Sequence, residues 1–504
     1  MASVRTRRVK AEATHAEPAL SAGDIRQRAA SGAALLTAKG IFAQVLGLAS
    51  TIVVARVLLP SQLGLYAIAA TISAFMLLLG SGLGTASALI RRPVAPEHAD
   101  LRAYVAFQLA ASCVLSAVVI LATRPFGTVG DLTAVMILSA PITAVRGGGL
   151  IVLERQLLYK RIATAETAET VAYYAWTIAT VAIGWGLWGL ATATVARAIV
   201  GTGFTLALAP TGVVWPRWDR MRIRSILGIG LRVQAVDFVV ALRDQILVLG
   251  TVAIGSVSVV AYWSLVLRAL QAPQTLLMTL LRVSFPAMSR TKAAGGDPAS
   301  MLPRLLAAAV ILTGTLLAPL AGAAPALVPL LFGEKWSPAA DALSLAALAV
   351  VIHTPVVIAA HSYLWTSGDA KSPLRASIAD AVVVLAIGLP LVPILGVLGL
   401  AIGGVTCAVV HTAIIVRAVD RQTHVHVVRH IRAPVLAWIV AAATAWACAQ
   451  GPGPLVVRAA LSAGVALGVY FGLLFLTRRE LTLALVRDYW PWVRYSILRR
   501  RPPQ

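Results

Sequence analysis

Fourteen long apolar stretches, separated by short polar gaps, run through most of this 504-residue chain. Most of them exceed the roughly 20 residues that a helix needs to cross about 30 Å of hydrocarbon. The pattern predicts an all-α integral membrane protein with about fourteen transmembrane helices. The predicted spans are residues 32–55, 63–90, 103–122, 131–152, 165–184, 186–208, 225–250, 254–281, 305–331, 339–366, 376–393, 396–416, 433–449 and 455–476.

Lysine and arginine fall mainly into every second gap between these spans. With the N-terminus placed in the cytoplasm, the inner side receives 33 of the 43 basic residues, the outer side receives four, and six lie within spans. Because cytoplasmic loops carry the excess of positive charge, this asymmetry predicts an even number of crossings with both termini inside. We also expect no removable signal peptide, since residues 1–30 lack an apolar core followed by a small-residue cleavage site.

Composition supports the membrane interpretation. Hydrophobic residues make up 59% of the chain and charged residues only 12%, which excludes an ordinary soluble enzyme. The net charge of +23 is spread over short loops, so it indicates topology and anionic headgroups rather than nucleic-acid binding. The three cysteines all lie within apolar spans without paired spacing, which predicts neither disulfides nor a metal site.

The first twelve spans form two similar sets of six. The turn at residues 55–66 resembles the turn at 255–262, with an offset of 196 residues, and an even set of spans gives both halves the same orientation. Parallel repeats around a central cavity are a common transporter plan. The predicted division is a basic tail at 1–30, a six-helix lobe at 31–208, a cytoplasmic linker at 209–224, a second six-helix lobe at 225–420, an extra helix pair at 430–476, and an interfacial basic and aromatic tail at 477–504.

The outer loops are too short for a membrane glycosyltransferase or polymerase, which needs positioned acids or metal-binding carboxylates. The sequence also contains no phosphate-binding loop, zinc-protease helix or nucleophile elbow. We therefore predict a protein that is not an enzyme and has no cofactor. Its energy source is expected to be a proton or sodium gradient, or the membrane potential.

Four segments carry a family resemblance, and they occur in family order. The chain resembles the bacterial polysaccharide or O-antigen flippases of the multidrug/oligosaccharidyl-lipid/polysaccharide exporter superfamily over roughly residues 30–420. Leu59 stands where that family more usually has glycine. The four segments are Ala55-Arg56-x-Leu58-x-Pro60-x-x-x-Gly64-x-Tyr66, Gly82-Leu83-Gly84 with Ala88-Leu89-Ile90-Arg91, Leu153 to Ala163, and Leu331-Phe332-Gly333-Glu334-Lys335-Trp336.

The resemblance implies two helical lobes that expose a central cavity alternately to each leaflet. It implies polyprenyl-pyrophosphate-linked oligosaccharides as substrates, carried from the cytoplasmic to the outer leaflet for O antigen, exopolysaccharide or capsule. Membrane lipids, a polysaccharide polymerase and export machinery are the implied partners, and the bacterial inner membrane is the implied location. A pyrophosphate headgroup that crosses hydrocarbon needs a hydrated, cationic cavity, whereas a polyprenyl tail can remain in lipid.

Basic residues within spans are the candidates for such a cavity, because intramembrane charges usually face a cavity or a partner. Snorkelling to the cytoplasmic headgroups is the alternative for several of them. Arg197 is instead expected to form an internal salt bridge within the first lobe. The predicted substrate-cavity residues are Lys39, Arg146, Arg232, Arg268 and Gln271, with Pro273 expected to open the helix near Arg268.

Acidic residues within spans have two interpretations, which are binding of a coupling ion and neutralisation of neighbouring arginines. The acidic candidates are Asp237, Asp244 and Asp380, and Arg243 is a candidate for charge pairing with them. Glu166 and Glu169 are expected to complement a helix dipole in the first turn of the fifth span. His353 and His361 share a helix face, but two histidines without a third ligand indicate a hydrogen-bonded core role. The loop residues His424, His426 and His430 are expected to face the cytoplasm.

Two other functions compete with the flippase. A cation-coupled multidrug exporter of the same superfamily would favour acidic cavity residues, whereas six basic residues lie in the spans against few acids. A polymerase or acyltransferase of the same pathway is disfavoured by the absence of a large outer loop.

Overall fold

The structure, a computed structural model, describes residues 22–80, 85–91 and 96–477. Every regular element in these ranges is a helix, as the apolar pattern predicts. Residues 1–21 and 478–504 of the predicted terminal tails, and Gly82 to Gly84 of the family segment, lie outside the description. Side chains are described except at 22–38, 79–80, 87–88, 91, 228–240 and 279–283.

Nine α-helices occupy the first predicted lobe within the described residues, and a long tenth helix begins inside the predicted linker. They are α1 Ala22–Val57, α2 Pro60–Gly80, α3 Thr85–Arg91, α4 His98–Thr123, α5 Thr128–Ile137, α6 Ser139–Val145, α7 Gly147–Arg155, α8 Tyr159–Ala182, α9 Leu187–Leu208 and α10 Arg220–Ile254.

Ten more α-helices follow in the described chain, with two π-helical turns at Val357–His361 and Val384–Gly388. The helices are α11 Val257–Ala293, α12 Leu302–Gly322, α13 Ala324–Phe332, α14 Pro338–Val356, α15 Ser362–Ser367, α16 Lys371–Val383, α17 Leu389–Leu395, α18 Val397–Gln422, α19 Val427–Ala449 and α20 Leu455–Thr477.

Eleven segments of the described chain are long and apolar enough to cross a membrane. The protein is therefore a multi-pass membrane protein. The predicted spans at 165–184, 225–250 and 254–281 also coincide with the helices α8, α10 and α11, which are not among the eleven. The number fourteen stays a prediction.

Two predicted spans are interrupted rather than continuous. The span at 131–152 forms α5, α6 and α7, and Arg146 lies at the second break, directly before three glycines that disfavour a regular helix interior. The span at 305–331 divides at Ala323, where a proline follows in the first turn of α13, a position that proline favours. By contrast, α11 continues through Pro273 without a break, and an opening of this helix beside Arg268 stays a prediction.

The chain divides into two compact units, residues 1–58 with 68–245, and residues 59–67 with 246–504. The division falls within α10 at Gln245, whereas the predicted linker is 209–224. In the second unit, the start of α2 packs on the start of α11, because Gly64 lies against the backbone oxygen of Val257. The two turns that the predicted repeat aligns therefore contact each other.

The predicted linker is fastened to the first unit at its C-terminal end. The Arg222 guanidinium lies 2.7 Å from the Asp100 carboxylate and 2.9 Å from that of Glu97. These carboxylates raise the pKa of Arg222, with the Asp100 hydrogen bond as the largest cause. The basic residue that the charge pattern assigns to an inner loop thus also anchors that loop.

Glycines allow two backbones to approach closely in the second unit. A Cβ atom on Gly403 of α18 would lie 2.6 Å from the Cα of Gly388, at the end of the second π-helical turn. No real Cβ makes such a contact, and the obstructing atom is backbone, which cannot rotate away. Small residues at this position therefore set the distance between the two helices, as in many membrane-helix interfaces.

We expect Gly403→Ala to destabilise the second unit by roughly 1–3 kcal/mol, the usual cost of overpacking a close contact. Gly404→Ala is the matched control, because a Cβ there meets nothing within 4 Å. Thermal unfolding of the purified protein in detergent measures the difference. Equal unfolding temperatures for the two variants would contradict the close approach.

Candidate functional site

A polar cavity of about 170 Å³ lies among helices of the first unit. Five ionisable side chains line it, and they come from four separate places in the chain. Lys39 projects from α1, Arg146 from the break between α6 and α7, Arg197 from α9, and Glu166 and Glu169 from α8. The cavity thus brings together two predicted cavity residues and one predicted salt-bridge arginine.

The carboxylate of Glu169 bridges two arginines. Arg146 donates to its Oε2 at 2.6 Å, and Arg197 donates through Nε to its Oε1 at 2.7 Å. The Glu169 side chain is only 8% exposed, while that of Arg197 is 53% exposed. The buried carboxylate of Glu169 therefore orients two arginines, and one of them, Arg197, remains about half-exposed.

Gly201 of α9 makes room for this arrangement. A Cβ at Gly201 would lie 2.6 Å from Oε2 of Glu169 and would also collide with the Arg146 guanidinium. The absence of a side chain thus allows the arginine and the carboxylate to meet against the backbone of α9.

The second ion pair of the cavity is more open. Nζ of Lys39 donates to Oε2 of Glu166 at 2.7 Å, and the two side chains are 23% and 42% exposed. An exposed pair is weaker than a buried one, because water competes with both partners. Lys39 can therefore exchange Glu166 for another anion at lower cost than Arg146 can exchange Glu169.

The structure corrects the interpretation of the two glutamates. Helix α8 begins at Tyr159, so neither Glu166 nor Glu169 lies in a first turn, and their partners are cations rather than a helix dipole. The internal salt bridge predicted for Arg197 is present. Snorkelling of Lys39 and Arg146 was the alternative interpretation, and both instead pair with carboxylates inside the unit.

The remaining candidates lie apart from this cavity. Arg243 pairs with its neighbour Asp244 at 2.7 Å, which is the neutralising contact expected for that acid. The side chains of Arg232 and Asp237 lie outside the described residues. In the second unit, Arg268 and Gln271 are exposed on α11, and Arg268 makes no ion pair or side-chain hydrogen bond within the described chain.

Asp380 belongs to a buried cluster of imidazoles in the second unit. Its Oδ2 lies 2.7 Å from Nδ1 of His411, and Nε2 of His411 lies 3.1 Å from Nε2 of His361. The ring of His353 packs against His411 with centroids 4.4 Å apart. Sequence reasoning named three of these residues but missed His411. A lone histidine in the apolar run of α18 was the available signal.

Comparison with known proteins places the chain in a family. The sequence model of a family described as "Polysaccharide biosynthesis protein" matches residues 53–341, more than half of the chain. The chain belongs to this family. No curated protein matches the sequence significantly.

The chain also shares its fold with solved structures of transporters. It is similar to the lipid II flippase MurJ in an inward closed conformation, with TM-score 0.71 and 12% identity over 89% of this chain and 99% of that chain. It is also similar to an inward-facing multidrug resistance transporter of the MATE family, with TM-score 0.56 and 19% identity over 75% and 95% of the two chains. These structural neighbours are transporters rather than enzymes.

We expect Glu169→Gln to lower the unfolding free energy of the protein by roughly 2–4 kcal/mol. Removing one partner of a buried ion pair costs about 3–5 kcal/mol, and the exposure of Arg197 reduces that cost. Glu166→Gln, on the same helix but in the exposed pair, should cost less than about 1 kcal/mol. Unfolding in mixed micelles compares the two variants, and an equal loss would refute the structural role of Glu169.

Proposed function

We propose that this protein is a flippase for polyprenyl-pyrophosphate-linked oligosaccharides, moving them from the cytoplasmic to the outer leaflet by alternating access for polysaccharide assembly. The observation that carries the proposal is the cation excess in the first-unit cavity. Three cations, Lys39, Arg146 and Arg197, face two carboxylates, Glu166 and Glu169. A cavity with excess positive charge suits an anionic headgroup.

Arg197 supplies the donors that such a headgroup requires. Only its Nε is used by Glu169, and its terminal amino groups make no hydrogen bond within the described chain. The guanidinium fork matches phosphate oxygens in a bidentate geometry. Glu169 acts in this scheme as a positioning residue, because it fixes the plane of the guanidinium without occupying its outer edge.

Lys39 supplies the second donor. Its ammonium is a compact charge whose present partner, Glu166, is nearly half-exposed. A pyrophosphate carries more charge than a carboxylate, so it competes for Lys39 effectively. Arg268, exposed on α11 of the second unit, is a further candidate contact for the anionic group.

The family and the fold support the same proposal. The family description concerns polysaccharide biosynthesis, and one structural neighbour is a lipid II flippase. We further propose a bacterial inner-membrane location with both termini cytoplasmic, and cooperation with a polysaccharide polymerase and export machinery. A proton or sodium gradient, or the membrane potential, is the proposed energy source.

A multidrug exporter is the second candidate, favoured by one observation. Glu166 and Glu169 lie three residues apart on the same side of α8 and both line the cavity. Two carboxylates on one helix face can bind an organic cation. In that function the glutamates would contact the substrate, and Lys39 would be a competitor for them.

The ion pair between Lys39 and Glu166 distinguishes the two functions. The flippase needs Lys39 to bind an anionic headgroup, whereas the exporter needs Glu166 to bind an organic cation. In proteoliposomes that contain a polyprenyl-pyrophosphate oligosaccharide, we expect Lys39→Gln to slow exposure of the sugar roughly tenfold, the loss of one charge-assisted hydrogen bond. Glu166→Gln should preserve or increase the rate, since it frees the lysine. Access of the sugar to an external modifying reagent gives the rate.

The reverse pattern would replace the flippase with the exporter. If wild-type protein leaves the lipid-linked sugar inside but moves a cationic dye, and Glu166→Gln abolishes dye movement, the exporter function holds. Unfolding temperatures of both variants control for misfolding. Arg268→Ala, tested in parallel, reports whether transport also depends on Arg268.

The proposed orientation is tested by cysteine labelling in intact cells. In a background with Cys113, Cys407 and Cys448 replaced by alanine, Val213→Cys samples the predicted inner loop and Pro452→Cys samples a predicted outer loop. An impermeant maleimide should label only the cysteine at position 452, because positive charge marks the loop around 213 as cytoplasmic. Labelling at 213 alone would invert the topology.

A further inference from the structure

The buried imidazole cluster in the second unit has the composition of a metal site. His361 and His411 are 6% and 2% exposed, and Asp380 is 8% exposed. His353, Asp380 and His411 each offer a ligand atom, and these atoms all lie within 4.8 Å of one another. Imidazole nitrogens are the preferred ligands of divalent transition metals such as zinc.

The spacing of the nitrogens fits one ion. Zinc binds imidazole nitrogen at about 2.0–2.1 Å, so two ligands of a tetrahedral ion lie about 3.3 Å apart. The Nε2 atoms of His361 and His411 are 3.1 Å apart, and their ring centroids are 5.1 Å apart. The two rings thus face each other at nearly the separation that a shared ion imposes.

Asp380 occupies the position of an orienting carboxylate. Metal-binding histidines commonly donate their second ring N–H to a carboxylate, which fixes the tautomer and the ring orientation. His411 lies 2.7 Å from Asp380 through Nδ1, which leaves its Nε2 directed at His361. This is the arrangement of a carboxylate–histidine–metal triad.

The negative charge of the Asp380 carboxylate also favours a bound cation. Asp380 pairs with no lysine or arginine within the described chain, and its buried Oδ1 has no hydrogen-bond partner there. With neutral imidazoles, the cluster holds an uncompensated negative charge inside membrane helices, which is costly. A divalent ion would remove that cost.

Two uncommon backbone features lie beside these ligands. The π-helical turn Val357–His361 ends at His361, and the turn Val384–Gly388 begins four residues after Asp380. Such turns are rare and frequently mark functional sites. They show that the helices carrying the cluster depart from regular geometry at this point.

We propose that this cluster binds one divalent transition-metal ion at His411, with His353 and His361, which both contact the His411 ring, completing the site and Asp380 orienting His411. The ion would connect α14 and its π-helical turn, α16 and α18. His353 is the less buried member of the cluster. The proposal is independent of the transported substrate.

The test uses Co²⁺ as a visible substitute for zinc, added to purified protein in detergent without a polyhistidine tag. We expect one Co²⁺ per chain, with the intense visible absorption of tetrahedral coordination and displacement by Zn²⁺. His411→Asn and the less buried His353→Asn should abolish that absorption. Asp380→Asn should weaken binding about 10- to 100-fold without abolishing it, as orienting residues do.

The loop histidines provide the matched control. His424 and His426 are exposed, and replacing both by asparagine should leave the Co²⁺ absorption unchanged. Loss of the absorption in this double variant would overturn the proposal, because the ion would lie in the loop. Absence of tetrahedral absorption in folded wild-type protein would also overturn it. Binding by wild type should raise the unfolding temperature, and His353→Asn should lose that increase.

Discussion

A charge buried among membrane helices has to find its partner within the protein, because hydrocarbon offers none. In the first unit this constraint falls on Glu169, whose carboxylate is bound by Arg146 and Arg197. The pairs join α8 to α9 and to the break before α7, so one carboxylate determines how three elements meet. Because Glu169 binds only Nε of Arg197, it holds the guanidinium in place and leaves the two terminal amino groups accessible.

The second unit meets the same constraint with a different residue type. Asp380 is paired with His411 rather than with an arginine. An arginine is permanently charged, whereas an imidazole can be neutral and can bind a metal. The buried carboxylate of the first unit is therefore paired with permanent positive charge, whereas that of the second unit is paired with a group that can be neutral. The two units therefore differ in the chemistry of their buried carboxylates.

The apolar runs of the sequence predict the helices. The position of Lys39 and Arg146 within those runs marks them as candidate site residues. The pairing of charges is harder to predict, because it depends on the register between helices. The apolar pattern places Glu169 near a helix start, but α8 begins at Tyr159, and the Glu169 carboxylate is bound by two arginines. His411 lies 31 residues from Asp380, and periodicity within one helix carries no information about such contacts. Ion pairs within the sequence neighbourhood, such as Arg243 with Asp244, were predictable.

Register in the second unit can be traced to a backbone contact. Gly403 contacts Gly388, and His411 contacts Asp380. His411 lies eight residues after Gly403, and Asp380 lies eight residues before Gly388. Since the two segments run in opposite directions, eight residues from the glycine contact bring both helices to the same level again. The glycine contact therefore sets the alignment that places an imidazole beside the carboxylate. A larger residue at Gly403 would push the two helices apart. The contact between His411 and Asp380 therefore depends on a small residue at Gly403.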